Sequence, residues 1–300
     1  MTTVNRKEIS KTSWEEDNNY YLGLFSHQCR GCGSLLASKL ILRTMYEADP
    51  SVMVWGRSCG AGKSQMMTGG RIAMDGSGML GMEEGLKFRG ITDRNLAVMA
   101  GEGRTLEMGG NDFESAIYRK QQVTWVILDN QNYAESGSHA TPMTPLKAAT
   151  HIYTKGKPLQ EKTLPLMMTL NNARYVATVS PAYVKDLQAK TLKALRMKPS
   201  YLHVLTPCVT GWIYEPRLTV QIARLSVQTG LFPLWEFEDG VMRRTIHPGR
   251  RVPVNKYLEL QRRFDQVSEE DVLAVQEWAD KLNDIVDKMA AGFSLQAAAS

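Results

Sequence analysis

The sequence has no apolar run long enough to cross a membrane. A membrane-spanning helix needs about 20 consecutive apolar residues, and polar residues interrupt every apolar stretch of this chain well before that length. The first 19 residues are polar and acidic, without the basic-then-apolar pattern of a secretory leader. We therefore expect a cytoplasmic protein with no membrane partner.

Charge of one sign is not in large excess. The chain has 36 Lys and Arg against 31 Asp and Glu, and its basic pairs are separated by acidic or apolar residues. This distribution is typical of a solvated surface and not of a nucleic-acid-binding patch, so we expect no nucleic-acid partner. With 43% hydrophobic residues in 300, the chain can form one large globular domain or two small ones.

Cysteine is scarce, and the four cysteines have a distinctive arrangement. Cys29 and Cys32 form a Cys-x-x-Cys pair, whereas Cys59 and Cys208 are single. One [4Fe–4S] cluster requires four thiolates, and a turn at a helix N-terminus would present backbone N–H groups to such a cluster. A second Cys-x-x-Cys pair, which would favour zinc, is missing. The spacing favours a cluster but leaves structural zinc, a redox disulfide and unrelated buried thiols open.

Short β-rich runs alternate with helical patterns along the chain. The candidate strands, which are apolar nearly throughout, are residues 52–55, 96–100, 123–128, 175–179 and 201–205. Helical patterns occupy residues 35–46, 80–88, 113–120 and 183–195. Such alternation requires crossover connections, and it predicts an α/β fold with a doubly wound, mostly parallel sheet.

The pattern is less regular beyond Cys208. It predicts a helix at residues 219–229, an edge strand at 233–239 that is followed by a basic loop, and a long amphipathic helix at 269–291. We expect these residues to form an arm or packing element and not an independent domain.

Two of the predicted strands end in loops that suit a diphosphate and a metal ion. Gly101-Glu102-Gly103-Arg104 follows one strand, and Asp129-Asn130-Gln131-Asn132 follows the next. Ligands of parallel sheets bind at the carboxyl ends of the strands. Glycines permit close approach of a diphosphate, while a carboxylate and an amide oxygen can coordinate Mg²⁺. The 28 residues from Glu102 to Asn130 match one helix plus one strand, which favours a shared site.

Five motifs occur in an order that resembles a known enzyme family. They are Cys-x-Gly-Cys-Gly at 29–33, Gly-Glu-Gly at 101–103, Val-Ile-Leu-Asp-Asn-x-x-Tyr at 126–133, Ala-Thr-Pro at 140–142 and His-Val-Leu-Thr-Pro-Cys-Val-Thr-Gly-Trp at 203–212. From about residue 29 to residue 239, the chain resembles the β subunit of the 2-oxoacid:ferredoxin oxidoreductases, the pyruvate synthase group. The last motif is highly specific.

This resemblance implies the thiamine diphosphate-binding fold. The chain would supply the diphosphate-binding half of the cofactor site and carry a proximal [4Fe–4S] cluster. We accordingly predict an N-terminal segment (1–28), a thiamine diphosphate- and cluster-binding domain (29–212), and a C-terminal extension (213–300) that packs on the core or on partner subunits.

The resemblance also implies roles for individual residues. The cluster ligands would be Cys29, Cys32, Cys59 and Cys208. Magnesium would be bound by Glu102, by the side chain of Asn130 and by the backbone carbonyl of Asn132. The positions expected to contact cofactor are Gly31, Cys59, Gly101, Gly103, Arg104, Asn132 and Tyr133.

The chain departs from the family pattern in three places. Glu102 replaces the usual aspartate, so the loop or the diphosphate must shift. Glu135 lies where the family often has an asparagine near the reacting carbon, and the loop that follows, up to Ala140, is shorter and lacks a usual glutamine. We therefore place Glu135 in the substrate pocket and expect a branched, aromatic or dicarboxylic 2-oxoacid in place of pyruvate.

The activity implied by the resemblance is the oxidative decarboxylation of a 2-oxoacid with transfer of the acyl group to coenzyme A. Electrons would pass singly to the cluster and then to ferredoxin or another acceptor. The activating glutamate of the family belongs to the α subunit, so the chain is expected to be inactive without that partner. Subunits equivalent to γ, δ or a ferredoxin are also expected.

Two other classes of function remain open. Gly60-Ala61-Gly62-Lys63-Ser64 resembles the end of a nucleotide-binding P-loop, but that motif needs a glycine at position 57, where the chain has Arg57. A non-catalytic iron–sulfur electron carrier would explain the cysteines. It would leave the loops at Glu102 and Asn130 without a purpose.

Overall fold

The structure, a computed structural model, describes residues 29–57, 76–108, 110–171 and 173–292. Within these ranges the strands are β1 (Met53–Arg57), β2 (Leu96–Gly101), β3 (Val123–Asp129), β4 (Tyr175–Val179), β5 (Ser200–Leu205), β6 (Trp235–Glu238) and β7 (Val241–Arg244). They form a seven-stranded sheet in the order β1-β2-β3-β5-β4-β6-β7.

The sheet is parallel over its first five strands. Strands β1, β2, β3, β5 and β4 pair in parallel, whereas β6 is antiparallel to β4 and to β7. Every residue of β3, β4 and β5 is buried, because helices cover both faces of a parallel sheet. The predicted α/β fold with a mostly parallel sheet is confirmed.

The helices of the described ranges lie on both faces of the sheet. They are α1 (Gly33–Ala48), α2 (Gly76–Phe88), α3 (Gly110–Tyr118), α4 (Leu164–Leu170), α5 (Val184–Arg196), α6 (Val209–Trp212), α7 (Thr219–Gln228), α8 (Asn255–Leu258) and α9 (Glu269–Gly292). No helix in these ranges is both long enough and apolar enough to span a membrane.

The direction in which the chain crosses the sheet decides which face each helix covers. From β1 to β4 the chain moves across the sheet in one direction, and α2, α3 and α4 pack in one apolar cluster with Trp125. Between β4 and β5 the direction reverses, and α5 packs with α1 in a second cluster with Val126. Because parallel crossovers are right-handed, a reversal of direction transfers the connecting helix to the opposite face.

The prediction that residues 233–239 form an edge strand is wrong. Strand β6 lies inside the sheet, and the edge is β7, which begins in the segment predicted as a basic loop. Asp239 and Gly240, between the two strands, have φ angles of 43° and 92°. An Asp-Gly pair with positive φ at both residues is a strong signal for a two-residue hairpin turn, so the chain folds back and adds one more strand.

The C-terminal residues pack at the carboxyl ends of the parallel strands. A third apolar cluster joins Trp212 of α6 to Ile222 of α7, Tyr257 of α8 and Val275 of α9. The burial of these large side chains is favourable by about 1.5–3 kcal/mol each. This packing brings residues from the end of the chain beside the loops that follow β3 and β5.

Candidate cofactor site

The register of the sheet brings the two predicted ligand loops together. Gly101 at the end of β2 pairs with Leu128 of β3, and Asp129 pairs with Leu205 at the end of β5. The backbone N–H of Thr206 extends this ladder by donating to the carbonyl of Asp129 at 2.8 Å. The residues after these three strands, which include Glu102 and Asn130, therefore leave the sheet side by side.

Glu102 is a buried carboxylate with neutral hydrogen-bond donors. Its oxygens accept from the hydroxyl of Thr141 at 3.2 Å and from the backbone N–H of Asn130 at 3.4 Å. Burial raises the pKa of Glu102 well above its usual range, and the nearby carboxyl of Asp129 raises it further. A cation beside this carboxylate would offset both effects.

Asn130 and Asn132 complete the loop beside Glu102. The Oδ1 atom of Asn130 accepts from the backbone N–H of Asn132 at 3.2 Å, and both side chains are buried. The Oδ1 atom of Asn132 is buried without a hydrogen-bond partner, an arrangement that costs about 1–3 kcal/mol. The amide of Asn132 lies directly against Gly211, where an added Cβ would approach its Nδ2 to 1.6 Å.

These donors fit a magnesium ion by their chemistry. Mg²⁺ prefers oxygen ligands and usually keeps several waters, and the loops offer the carboxylate of Glu102 and the side-chain oxygen of Asn130. Within the described ranges, no three His, Cys, Asp or Glu side chains lie close enough to form a metal site by themselves. A bound ion would therefore depend on amide, carbonyl and diphosphate oxygens as well as on Glu102.

Cys32 and Cys208 both lie at helix N-termini. The Sγ atom of Cys32 accepts from the backbone N–H of Leu35 at 3.4 Å at the start of α1, and that of Cys208 accepts from Gly211 at 3.3 Å at the start of α6. Burial raises the pKa of Cys32, although backbone hydrogen bonds oppose it, and the charges of Cys208 and Cys29 add to the rise. Cys59 lies outside the described residues.

The Cys-x-x-Cys turn is hydrogen-bonded to the residues that follow β5. The backbone N–H of Gly33 donates to the carbonyl of Pro207 at 3.0 Å, and the hydroxyl of Ser34 donates to Thr206 at 3.0 Å. Gly31 has a φ of 74°, and an added Cβ there would lie 2.6 Å from the carbonyl oxygen of Pro216. Gly31 thus serves the close approach of two backbone segments. The backbone N–H groups that contact Cys32 and Cys208 are a chemically suitable setting for an anionic cluster, although the described cysteines do not by themselves form a metal site.

The other predicted cofactor positions surround Glu102. Gly103 is buried against the ring of Tyr133. A Cβ added at this position would lie 2.4 Å from that ring, so only glycine fits here without a shift. The hydroxyl of Tyr133 donates to the carboxylate of Glu107. Burial raises the pKa of Tyr133, and the hydrogen bond to Glu107 and the charge of Glu107 raise it further. Gly101 and Arg104 are partly exposed at the end of β2 and the start of a π-helix (Arg104–Met108).

Glu135 lies apart from these groups. It belongs to a short 3-10 turn (Ala134–Ser136), and its side chain is exposed. The structure does not bring it into contact with Glu102 or Asn130. The P-loop-like residues 60–64 lie outside the described residues.

Two buried groups beside the site have no signal of their role in the local sequence. His203 lies 2.9 Å from the carboxylate of Asp129 on one side and 2.9 Å from the hydroxyl of Tyr201 on the other. Arg263, not singled out by any motif, donates to Gln131 at 2.8 Å. Its partner is 132 residues away, so no local spacing pattern could indicate the contact.

Comparisons with known proteins first define the class of the fold. The family described as Thiamine pyrophosphate enzyme, C-terminal TPP binding domain, matches residues 62–204. A 2-oxoglutarate:ferredoxin oxidoreductase from Magnetococcus marinus has a similar fold, with a TM-score of 0.57 and 16% identity over 81% of this chain and 89% of that chain. The chain has the α/β fold of a thiamine diphosphate-binding domain.

Relatives of higher identity then define the family. Pyruvate synthase subunit PorB of Methanothermobacter thermautotrophicus is 33% identical over 267 residues, which cover 85% of this chain and 93% of the relative. Ketoisovalerate oxidoreductase subunit VorB of Pyrococcus horikoshii is 28% identical over 282 residues, 87% of this chain and 90% of the relative. The chain belongs to the β subunits of the 2-oxoacid:ferredoxin oxidoreductase family, and the predicted resemblance is confirmed.

Proposed function

We propose that this chain is the diphosphate-binding subunit of a cytoplasmic complex that oxidises a 2-oxoacid to an acyl-coenzyme A and transfers electrons through a proximal [4Fe–4S] cluster. The single observation that carries the proposal is a contact between the two candidate sites. The indole N–H of Trp212, in the helix that begins at Cys208, donates to the carbonyl of Asn130 at 2.8 Å. An electron carrier without catalysis would need the cysteines but not the buried loop of Glu102 and Asn130.

The residues around the site would hold a magnesium diphosphate. Glu102, the Asn130 side chain and the Asn132 carbonyl would bind Mg²⁺, while Gly101, Gly103, Arg104 and Tyr133 would line the diphosphate. Thiamine diphosphate, when bound, supplies the nucleophilic carbon and the electron sink that decarboxylation of a 2-oxoacid requires. The chain itself contributes anchoring, exclusion of water and an adjacent thiol-rich site.

The cysteines would hold the cluster on the same side of the sheet as the magnesium diphosphate. Cys29, Cys32 and Cys208 would supply three thiolates, and Cys59 would supply the fourth. The backbone N–H groups that contact Cys32 and Cys208 would stabilise the negative charge of a reduced cluster. Short distances between this cluster and the diphosphate loop would favour fast one-electron transfer to ferredoxin or another acceptor.

Family membership supports a proposal about the partners, and the position of Glu135 supports one about the substrate. The names of the relatives mark them as subunits of larger oxidoreductases, and we propose that this chain is active only with an α subunit and with ferredoxin-like subunits. Glu135, exposed on the turn after Tyr133, would reach the substrate from this chain's side of the subunit interface. We propose that it favours a branched, aromatic or dicarboxylic 2-oxoacid over pyruvate.

The proposal is tested on the native complex, purified under anaerobic conditions through a tag on this chain. We expect one thiamine diphosphate per chain and 2-oxoacid-dependent reduction of a one-electron dye that requires coenzyme A. Pyruvate and branched, aromatic and dicarboxylic 2-oxoacids form the substrate panel. A complex without thiamine diphosphate, or one that hydrolyses ATP or GTP in its place, would contradict the proposal.

A further inference from the structure

Arg263 is a buried cation whose hydrogen-bond partners are neutral. It is 3% exposed. Its Nε donates to Gln261 at 3.0 Å, and its Nη2 donates to the side-chain oxygen of Gln131 at 2.8 Å and to the hydroxyl of Tyr257 at 3.3 Å. A guanidinium in such a position loses its hydration without a bound carboxylate to replace it, so its burial is costly. A cost of this kind calls for a compensating role.

The faces of the same guanidinium are covered by aromatic rings. Its central carbon lies 3.9 Å from the ring centre of Trp212 and 4.9 Å from that of Phe264. A cation stacked on a tryptophan ring is attracted by the π-electrons, and the attraction strengthens when water is excluded. Arg263 therefore holds the Trp212 ring in one orientation while it binds Gln131.

The contacts of Arg263 with Gln131 and with Trp212 lead to the same loop. Gln131 stands between Asn130 and Asn132, and the indole N–H of Trp212 donates to the carbonyl of Asn130 at 2.8 Å. One side chain from the C-terminal part of the chain thus restrains the loop twice, directly at Gln131 and through Trp212 at Asn130. The backbone N–H of Asn130 donates to Glu102 at 3.4 Å, and the contacts of Arg263 are made to Gln131 and Trp212. Arg263 therefore restrains the loop through residues that are not among the proposed magnesium ligands.

We propose that Arg263 is a positioning residue that sets the affinity of the site for the magnesium diphosphate by fixing residues 130–132. This inference rests on the proposed function, since it assumes that the loop binds that ligand. Arg263 touches neither the metal nor the reacting atoms. Its loss should therefore weaken cofactor binding much more than it slows turnover at saturating cofactor.

The test uses the native complex after removal of thiamine diphosphate by EDTA and gel filtration. Two readouts are recorded against added thiamine diphosphate and Mg²⁺: the concentration for half-maximal activity and the increase in the midpoint of thermal unfolding. For Arg263→Met we expect the half-saturating concentration to rise about tenfold or more, a smaller ligand-induced thermal shift, and a kcat at saturation close to wild type. Arg263→Lys, which keeps the charge but loses the fork of donors, should be intermediate.

Arg262→Met is the matched control. Arg262 precedes Arg263 and is exposed, and its side chain makes a surface contact of 3.2 Å to Asp265. This variant should bind the cofactor like the wild type. If Arg263→Met does not yield a folded complex, Gln131→Leu removes the same contact from the other side and should give the same rise in half-saturation.

The outcomes distinguish a failure of the proposed function from a failure of the inference about Arg263. A wild-type complex that binds no thiamine diphosphate would overturn both the proposed function and this inference. Normal binding by the wild type, together with an unchanged half-saturating concentration in Arg263→Met or Gln131→Leu, would overturn the inference alone. A lower unfolding temperature with unchanged cofactor affinity would assign Arg263 a role in stability only.

Discussion

The imidazole of His203 and the carboxylate of Asp129 lie 2.9 Å apart in the interior of the sheet, where His203 is 0% and Asp129 1% exposed. The second ring nitrogen of His203 lies 2.9 Å from the hydroxyl of Tyr201. The other oxygen of Asp129 accepts from the backbone N–H of Gln131 at 3.0 Å. This buried pair therefore anchors the base of the loop that carries the proposed magnesium ligands.

We expect the His203–Asp129 contact to stabilise the fold strongly. His203→Leu removes one hydrogen-bond partner of a buried carboxylate, which costs more than the roughly 1–3 kcal/mol typical of a buried neutral group. Tyr201→Phe removes only a hydrogen bond to His203 and should cost about 1 kcal/mol. The midpoint of thermal unfolding of the complex should fall much more for His203→Leu. An equal fall in unfolding temperature for the two variants would show that the His203–Asp129 contact does not stabilise the fold more than the Tyr201–His203 hydrogen bond.

Glu102 should affect cofactor binding and apo-protein stability in opposite directions. Glu102→Gln removes an anionic ligand and should weaken retention of thiamine diphosphate and Mg²⁺ during gel filtration. It also removes a buried carboxylate whose pKa burial has raised, so the unfolding temperature of the cofactor-free protein should not fall. Glu102→Asp should retain cofactor, and Glu114→Gln, a change at an exposed helical position, serves as the control. Unchanged cofactor content in Glu102→Ala would exclude Glu102 from the site.

The cysteines should account for all the iron of this chain. We expect about four irons for the four thiolates, with little zinc, after subtraction of the iron of the other subunits. Cys208→Ser should lower this iron content and impair electron transfer to the dye more than it lowers bound thiamine diphosphate. Stoichiometric zinc without iron would instead support a structural metal site.

Glu135 should influence the choice of substrate. Its side chain is exposed on a short turn, so Glu135→Asn removes no buried contact and should leave the unfolding temperature unchanged. We expect relative kcat/KM values among 2-oxoacids to change by more than about tenfold, or about 1.4 kcal/mol of differential transition-state binding. The same factor of change for every 2-oxoacid would show that Glu135 does not select among them.

Glu161 should make stability depend on pH. Its carboxylate accepts from the indole of Trp278 at 2.6 Å and from the backbone N–H of Leu146 at 3.2 Å. Burial raises the pKa of Glu161 although these hydrogen bonds oppose the rise. The folded state therefore holds this proton more tightly than the unfolded state does, and the stabilisation present at acidic pH is lost as the pH rises through the folded-state pKa.

The measurement is the difference in unfolding temperature between Glu161→Gln and the wild type from pH 4 upward. The neutral amide cannot ionise, so the variant should gain stability relative to the wild type as the pH rises above the ordinary range of a carboxylic acid, about 4.3. Glu277→Gln, at an exposed position of α9, should show no such trend. A constant difference across the pH range would contradict the assignment.

Local sequence patterns determined most of the secondary structure. The apolar run at 175–179 is β4 with the same bounds, and the pattern at 269–291 is α9, which ends one residue later at Gly292. These elements were predictable because the burial of one or two faces of a helix or strand fixes the spacing of its apolar residues. This spacing is visible within a short stretch of sequence. The Asp239-Gly240 hairpin also has a local turn signal, but the basic residues of β7 resemble a loop.

The neighbourhood of Glu102 and Asn130 was also predictable. Each follows an apolar strand, and parallel strands joined by one helix end at the same edge of the sheet. The close packing of the Asn132 amide was not predictable. It depends on Gly211, which the helix that follows β5 supplies.

Only the tertiary structure decided which distant residues support the loop. His203 meets Asp129 across 74 residues, and Arg263 meets Gln131 across 132. Sequence patterns reflect the faces and ends of single elements, because their physical cause is a local period or a local turn. A contact between elements depends instead on sheet register and on the packing of the C-terminal helices, and these are set by the burial of the whole chain.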